Sequence, residues 1–434
     1  MTVRNRELFG LVVAGLIAGT ALATVTIARD SEVSPSVFTY GALFLGLYVA
    51  AHVVVRRTVP DADPALLPLA AVLTGIGLAM NYRLDPTGGR QALWVLIGVA
   101  VLAGTLIVLR HDYRVLESYR YLFGVAAVVL LLLPSLPVLG KRVNGVRLWV
   151  DLGPLQFQPG ELAKIFLILF LAGYLREKRE VLAQGRIKDF GPLLAIWGAA
   201  MLVIVQTNDL GSALLNFGIF LAMLYVATGK ALYVGAGLAL FVGGAALLYT
   251  AIDRVHERVT IWLTPWTDAP VYCSQTGELA LRQDCASYQL VRSLYSIGNG
   301  GFGGTGLAEG IFQAPDGSEL IPLLRTDFIY SAIAQELGLI GAAALLLLYM
   351  VFIVRGMRIA LVAQDGFSKL LAVGLTFGFA LQTFVIVGGI LRVVPLTGIT
   401  LPFVSYGGTS IVANFLLLAG LLLVSDRANA LQRR

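Results

Sequence analysis

Apolar residues recur along this chain in long runs, broken by short polar connections, from the first ten residues almost to the last. A bilayer core about 30 Å thick takes roughly 20 apolar residues of helix to cross. By that rule about twelve membrane-spanning helices are expected. The first six fall at Leu8–Ala28, Val37–Val55, Leu66–Met80, Gln91–Leu109, Tyr121–Leu139 and Glu161–Leu175. The others fall at Phe190–Gln206, Leu210–Thr228, Ala231–Ile252, Phe328–Val354, Leu370–Gly388 and Gly408–Ser425. Only Thr207–Asp209 separates the seventh from the eighth. No polar stretch is long enough for a separate folded domain, so the expected fold is one all-α polytopic membrane bundle.

The largest segment outside the spans, Asp253 to Thr326, opens with an amphipathic stretch, Val255–Trp266, suited to a helix lying in the membrane interface. Its middle, Ile297–Gly306, is rich in glycine, which allows tight backbone turns or movement. It lacks the Gly-Lys-Ser/Thr ending of a phosphate-binding P-loop.

Composition agrees with the pattern. Hydrophobic residues make up 57% and charged residues 13%, where soluble domains carry about 25% charged; the mean hydropathy is +0.81. A net charge of +6 does not indicate nucleic acid, because no basic block with interleaved aromatics occurs. The cations gather instead in short loops: Arg56 and Arg57; Arg110, Arg114 and Arg120; Arg176 to Lys188; Lys230; Arg355, Arg358 and Lys369; and Arg427 to Arg434. The preference of Lys and Arg for the cytoplasmic side then places both termini inside. Met1–Glu7 has the basic character of a signal peptide's start, but the run after it is full length and is expected to be retained. Lys141, Arg142, Arg147, Arg325 and Arg392 fall on the outer side and break the trend.

Ionisable groups beside spans carry the chemistry, since an unpaired charge in lipid costs several kcal/mol. Glu161 and Lys164 share a helix face; Asp209 sits at a helix junction; Asp327 opens a span just after Arg325. Together with Arg147 they suit the handling of a phosphorylated substrate in one outward cavity. Glu336 reads as a structural charge. Cys273 and Cys285 both lie in the large outer segment, where a disulfide is permitted and only one intramolecular pairing exists. His52, His111 and His256 are scattered without metal-ligand spacing, so no protein-built metal site is expected.

Five ordered stretches resemble one family. Asn144-Gly-Val-Arg-Leu-Trp149 followed by Leu152-Gly-Pro-Leu-Gln-Phe-Gln-Pro-Gly-Glu-Leu-Ala-Lys164 is the first. Asp209-Leu-Gly-Ser-Ala213, Ser293–Gly306, and Thr326-Asp-Phe-Ile-Tyr330 with Gln335-Glu-Leu-Gly338 follow. The last is Pro395-Leu-Thr-Gly-Ile-Thr-Leu-Pro-Phe-Val-Ser-Tyr-Gly-Gly-Thr-Ser410. In this order they resemble the SEDS family of RodA/FtsW/SpoVE-type peptidoglycan glycosyltransferases over about two-thirds of the chain. The departures are Arg325 where the family has His, Leu323-Leu324 for Pro-Glu, Gln335 for Glu, and Ile386 for Asn.

The resemblance implies a ten-helix core, so residues 1–60 look like an extra N-terminal helix pair on a core spanning 61–434. It implies polymerisation of lipid II into glycan strands, with a sugar hydroxyl displacing undecaprenyl pyrophosphate by inversion. Asp327 would be the base, with helix N-capping as its rival role. Substrate contacts would come from Arg147, Glu161, Lys164, Asp209, Arg325, Arg392 and Ser405. No cofactor is implied beyond a divalent cation such as Mg²⁺ carried in with the pyrophosphate. The implied partners are a class B penicillin-binding protein, which would add the transpeptidase this chain lacks, and other elongation or division membrane proteins. A lipid II flippase or a non-catalytic scaffold is the competing expectation.

Overall fold

A computed structural model describes residues 2–30, 35–85, 90–137, 139–143, 146–151, 153, 156–184, 191–273, 277–314 and 317–433. Each apolar run becomes a helix. The first four are α1 (Val3–Asp30), α2 (Pro35–Thr58), α3 (Leu66–Leu84) and α4 (Arg90–Leu109). After a short turn, α5 (Val115–Ser118), comes α6 (Arg120–Leu132). It stops seven residues before the expected Leu139, because Pro134 turns the chain into a 3₁₀ segment, Leu133–Ser135.

A small antiparallel sheet then forms from β1 (Gly140–Val143), β2 (Val146–Asp151) and β3 (Gln156–Phe157), in that order. Next come α7 (Pro159–Glu177), with proline at its first turn, the short α8 (Arg179–Ala183), α9 (Gly191–Gln206), α10 (Leu210–Thr228) and α11 (Ala231–Ala251). The long segment that follows holds the amphipathic α12 (Asp253–Leu263), a hairpin of β4 (Val271–Tyr272) and β5 (Leu279–Ala280), and α13 (Tyr288–Gly300). Three helices close the chain: α14 (Ile329–Val362), α15 (Gly366–Ile390) and α16 (Gly408–Gln432).

Among the described residues eight of these helices are long and apolar enough to cross a membrane: α1, α3, α4, α10, α11, α14, α15 and α16. The protein is therefore a multi-pass helical membrane protein. Burial sorts the helices into layers. In α15 and α16, 78% and 83% of the spanning window is buried, so they form the centre; in α11 only 6% is, so it faces lipid almost all round.

Of the two uses expected for the glycine-rich stretch, tight turns and movement, the structure shows the first, with positive φ at Gly301, Gly304 and Gly306. Its first part, through Gly300, is helical, and the whole stretch is clamped against a break in α14. At Gly338 the helix adopts φ 64°, ψ −168°, a conformation essentially confined to glycine. The break leaves backbone groups open to the loop: Thr305 and Gly306 donate to the carbonyls of Gln335 and Glu336 at 2.9 and 3.0 Å, and Leu339 donates to Gly301 at 3.0 Å. The contact leaves no room for side chains. A Cβ on Gly300 would lie 2.1 Å from the Ala334 carbonyl oxygen, and one on Gly304 2.1 Å from that of Glu336. Glu336 ties the same junction down, accepting from Arg83 at 3.2 Å and from the Ala308 amide at 3.0 Å. Nearby, Cys273 and Cys285 are joined in a disulfide across the β4–β5 hairpin and the turn before α13.

Candidate active site

At one end of the bundle the starts of α4, α7, α10, α14 and α16 surround a cavity of about 1090 Å³. Its chemistry is mixed. Five carboxylates reach it, Asp151, Glu161, Asp209, Glu257 and Asp327, and so do the cations Arg90, Lys141, Arg254 and Arg258. The apolar part of the wall includes Leu93 and Trp94 of α4, a helix whose outer residues stay exposed on the outside of the bundle. The polar chamber thus borders the lipid-facing surface.

Asp327 comes in on the connection into α14, its amide bonded to the Leu323 carbonyl at 3.0 Å. The loop after α15 meets it. Gly398, at φ +73°, lies so close that a Cβ there would sit 3.3 Å from the Asp327 Oδ2. Burial pushes the Asp327 carboxyl up to about 6, against smaller opposing effects of Thr326 and of the Arg258 charge. The backbone around the cavity is strained as well: Asn208 and Leu323 line it at φ 58° and 61° without being glycine.

Asp209 caps α10, accepting from the Ser212 amide at 3.0 Å and the Ser212 hydroxyl at 2.7 Å. Burial holds its carboxyl above the usual range, with Glu161 adding to the effect. Gly211 in the same motif allows the 397–399 loop to close on α10, since a Cβ would meet Ile399 at 2.8 Å.

Lys164 is buried behind the cavity wall. It donates to Glu161 at 2.9 Å and to the Gln382 side-chain oxygen at 2.7 Å, and Gln382 in turn donates to the Thr400 carbonyl at 2.9 Å. Lys164 therefore holds Glu161 and the loop after α15 in register and does not itself face the cavity.

Four other expected contacts sit elsewhere. Arg147 is exposed and absent from the wall, while Val146, Leu148 and Trp149 of the same strand line it. Arg325 pairs with Asp85 and stacks 5.2 Å over the Tyr406 ring. Arg392 is spent on the end of α12, donating to the Trp262 carbonyl at 2.9 Å. Ser405 is buried, donating to the Thr326 carbonyl at 2.5 Å and accepting from the Leu401 amide. It braces the segment that carries Asp327. Lys141 lines the cavity, paired with Asp151 at 2.8 Å. Asn144, Gly145, Leu152, Pro154, Leu155, Arg186, Lys188 and Arg434, and the start of the seventh span at Phe190, lie outside the described residues.

The residues that sequence reasoning missed are on α12. Arg254, Glu257, Arg258, Ile261 and Trp262 line the cavity, a spacing of three, four, seven and eight that makes one helical stripe. The amphipathic pattern was visible; its polar stripe faces the chamber. Arg258 donates to the Thr397 carbonyl at 3.2 Å. Burial lowers its basicity while Asp209 and Asp327 oppose that, so its charge is felt by both carboxylates. Among the described residues no group of three or more His, Cys, Asp or Glu side chains is placed to hold a metal.

The chain is similar to several known proteins. The family model for FtsW, RodA and SpoVE, described as cell cycle protein, matches residues 69–430. Peptidoglycan glycosyltransferase RodA of Mycobacterium tuberculosis is 39% identical over 98% of this chain and 91% of its own length. Stage V sporulation protein E of Bacillus subtilis is 33% identical over 85% of this chain and 98% of its own. Among solved structures, the rod shape determining protein RodA of Thermus thermophilus superimposes with a TM-score of 0.59 at 25% identity, covering 84% of this chain and 97% of its own. A chain of a peptidoglycan synthase complex that coordinates polymerization and crosslinking superimposes with a TM-score of 0.65 at 27% identity, covering 84% and 98%.

Proposed function

Since this chain belongs to the FtsW/RodA/SpoVE family of SEDS proteins, whose matched members are named peptidoglycan glycosyltransferases, we propose that it polymerises lipid II into glycan strands in the cavity around Asp327. The acceptor sugar's hydroxyl attacks the donor's anomeric carbon. The bond to undecaprenyl pyrophosphate breaks with inversion, and the leaving group departs with the electron pair. Asp327 takes the hydroxyl's proton. Arg258 and Arg254 are the cations placed to meet charge on the departing pyrophosphate, a role that passes to α12 from Arg147, Arg325 and Arg392. Glu161 and Asp209 shape the acceptor side, and Lys164 and Ser405 act as positioning residues.

The observation that carries this reading is a carboxyl that burial raises to about 6 in the wall of a roomy cavity, where it feels the charge of the half-buried Arg258 guanidinium. A base near neutral pKa suits proton abstraction at physiological pH. On this reading the cavity faces outside a bacterial plasma membrane, with both termini cytoplasmic. Leu93 and Trp94 mark the side where the substrate's lipid tail stays in the bilayer. Residues 1–60 are an added helix pair on the 61–434 core; the family match beginning at residue 69 supports this. The partner is a transpeptidase of the class B penicillin-binding type, in keeping with the synthase-complex likeness.

A pH–rate profile tests the base. Deprotonated Asp327 is the active form, so polymerisation falls as pH drops through about 6. Arg258→Gln removes a charge that favours the carboxylate, so it slows the reaction and moves this limb to higher pH. An unmoved limb in that variant, or a flat acid profile in the wild type, contradicts the assignment.

A further inference from the structure

Several helices that build the cavity also meet at their other ends. α7 and α10 are 19 residues each, about 28 Å at 1.5 Å per residue, close to the thickness of a bilayer core. There, between the ends of α7, α10 and α14 and the start of α15, lies a second cavity of about 360 Å³.

Its lining is amphipathic. Arg176 in the last turn of α7, Arg179 on α8 and Lys369 in the first turn of α15 provide the polar side. Val226, Met357 and Leu361 are among the residues of the apolar side. Arg176 gives one bond to Glu117 at 2.8 Å, whereas Arg179 and Lys369 carry no ion pair among the described residues. Like charges brought to one cavity from three separate elements repel one another unless an anion joins them. The apolar wall supplies a second constraint. Leu361 is 76% exposed, so this wall runs out onto the lipid-facing surface of α14. A small soluble anion would use the cations and leave the apolar wall in water. A phosphate attached to an acyl chain uses both.

We propose that this cavity binds the phosphate headgroup of an anionic phospholipid from the leaflet opposite the polymerisation cavity, with an acyl chain against Met357 and Leu361. Arg176, Arg179 and Lys369 hold the phosphate, and the site does not depend on the glycosyltransferase reading. Basic pockets between membrane helices on the cytoplasmic side are suited to such headgroups.

The full-length protein, purified in detergent, is titrated with phosphatidylglycerol or with phosphatidylcholine of the same acyl chains, and bound lipid is counted by native mass spectrometry. Phosphatidylglycerol should be retained selectively. The double variant Arg179→Gln/Lys369→Gln should weaken its binding roughly tenfold or more, at about 1 kcal/mol per cation. The single variant Lys369→Gln, a change at an exposed side chain, should show part of the loss should the pair compromise folding. Arg57→Gln, at an exposed cation outside the cavity, should change nothing. Equal retention of both lipids, or wild-type retention by the variants, overturns the site. Displacement of phosphatidylglycerol by millimolar inorganic phosphate assigns the cations to a soluble anion and overturns the lipid.

Discussion

Replacing Asp327 by Asn is expected to lower glycan polymerisation by roughly 10²- to 10⁴-fold, the usual contribution of a general base. Asn keeps the shape of the carboxyl while removing its charge and its ability to take a proton. The Gly398 contact, the backbone bond to Leu323 and the Ser405 brace beneath Thr326 all survive the change. The protein should therefore insert and melt as the wild type does while lipid II remains unpolymerised. Retention of near wild-type turnover by this variant would exclude Asp327 as the base. A matched loss of thermal stability would mean that its role is to hold the fold.

The second large effect is expected at the break in α14. Gly338→Ala forces a side chain into a backbone conformation essentially reserved for glycine, at a cost on the order of 1–3 kcal/mol from strain. The new Cβ would also stand 2.2 Å from the Gly304 amide nitrogen, so the loop has to leave the helix. Its hydrogen bonds to Gln335, Glu336 and Leu339 then go with it. Gly303→Ala is the control, because open space surrounds that position. A fluorescence melt of the solubilised protein should show a clear drop for the first variant and none for the second. New protease cleavage between residues 298 and 306 should accompany the drop. Equal melting of the two variants would mean the break in α14 contributes little to stability.

How much of this could be read in advance depends on whether the signal was local. Helix positions were legible because bilayer thickness converts directly into run length, and each expected run does become a helix. Asp327, Asp209 and Glu161 stood out as charges beside apolar runs, and the fold brings all three to one chamber. Arg147 was misplaced because its strand was not foreseen. Nothing in its short run announced a strand, and on β2 Arg147 stays exposed while Val146, Leu148 and Trp149 line the cavity. Arg325 and Arg392 were outer-side cations in sequence, but their partners, Asp85 and the Trp262 carbonyl, are supplied by distant segments. The converse held for α12. Its stripe of polar and apolar residues was plain, yet the surface that the stripe meets is decided by packing. Gly338 was hidden most fully, since one glycine within a long apolar run looks like continuous helix.

That the cavity joins sugars is a chemical statement with a direct test. Lipid II labelled with a fluorophore, incubated in proteoliposomes with the wild-type protein and the proposed transpeptidase partner, decides between joining sugars and moving lipid. Products are separated on a gel before and after muramidase digestion. The expected product is a ladder of strands that collapses to disaccharide units on digestion. Labelled lipid II that crosses the bilayer yet runs unchanged on the gel would contradict it, and would make the chamber a passage for the lipid.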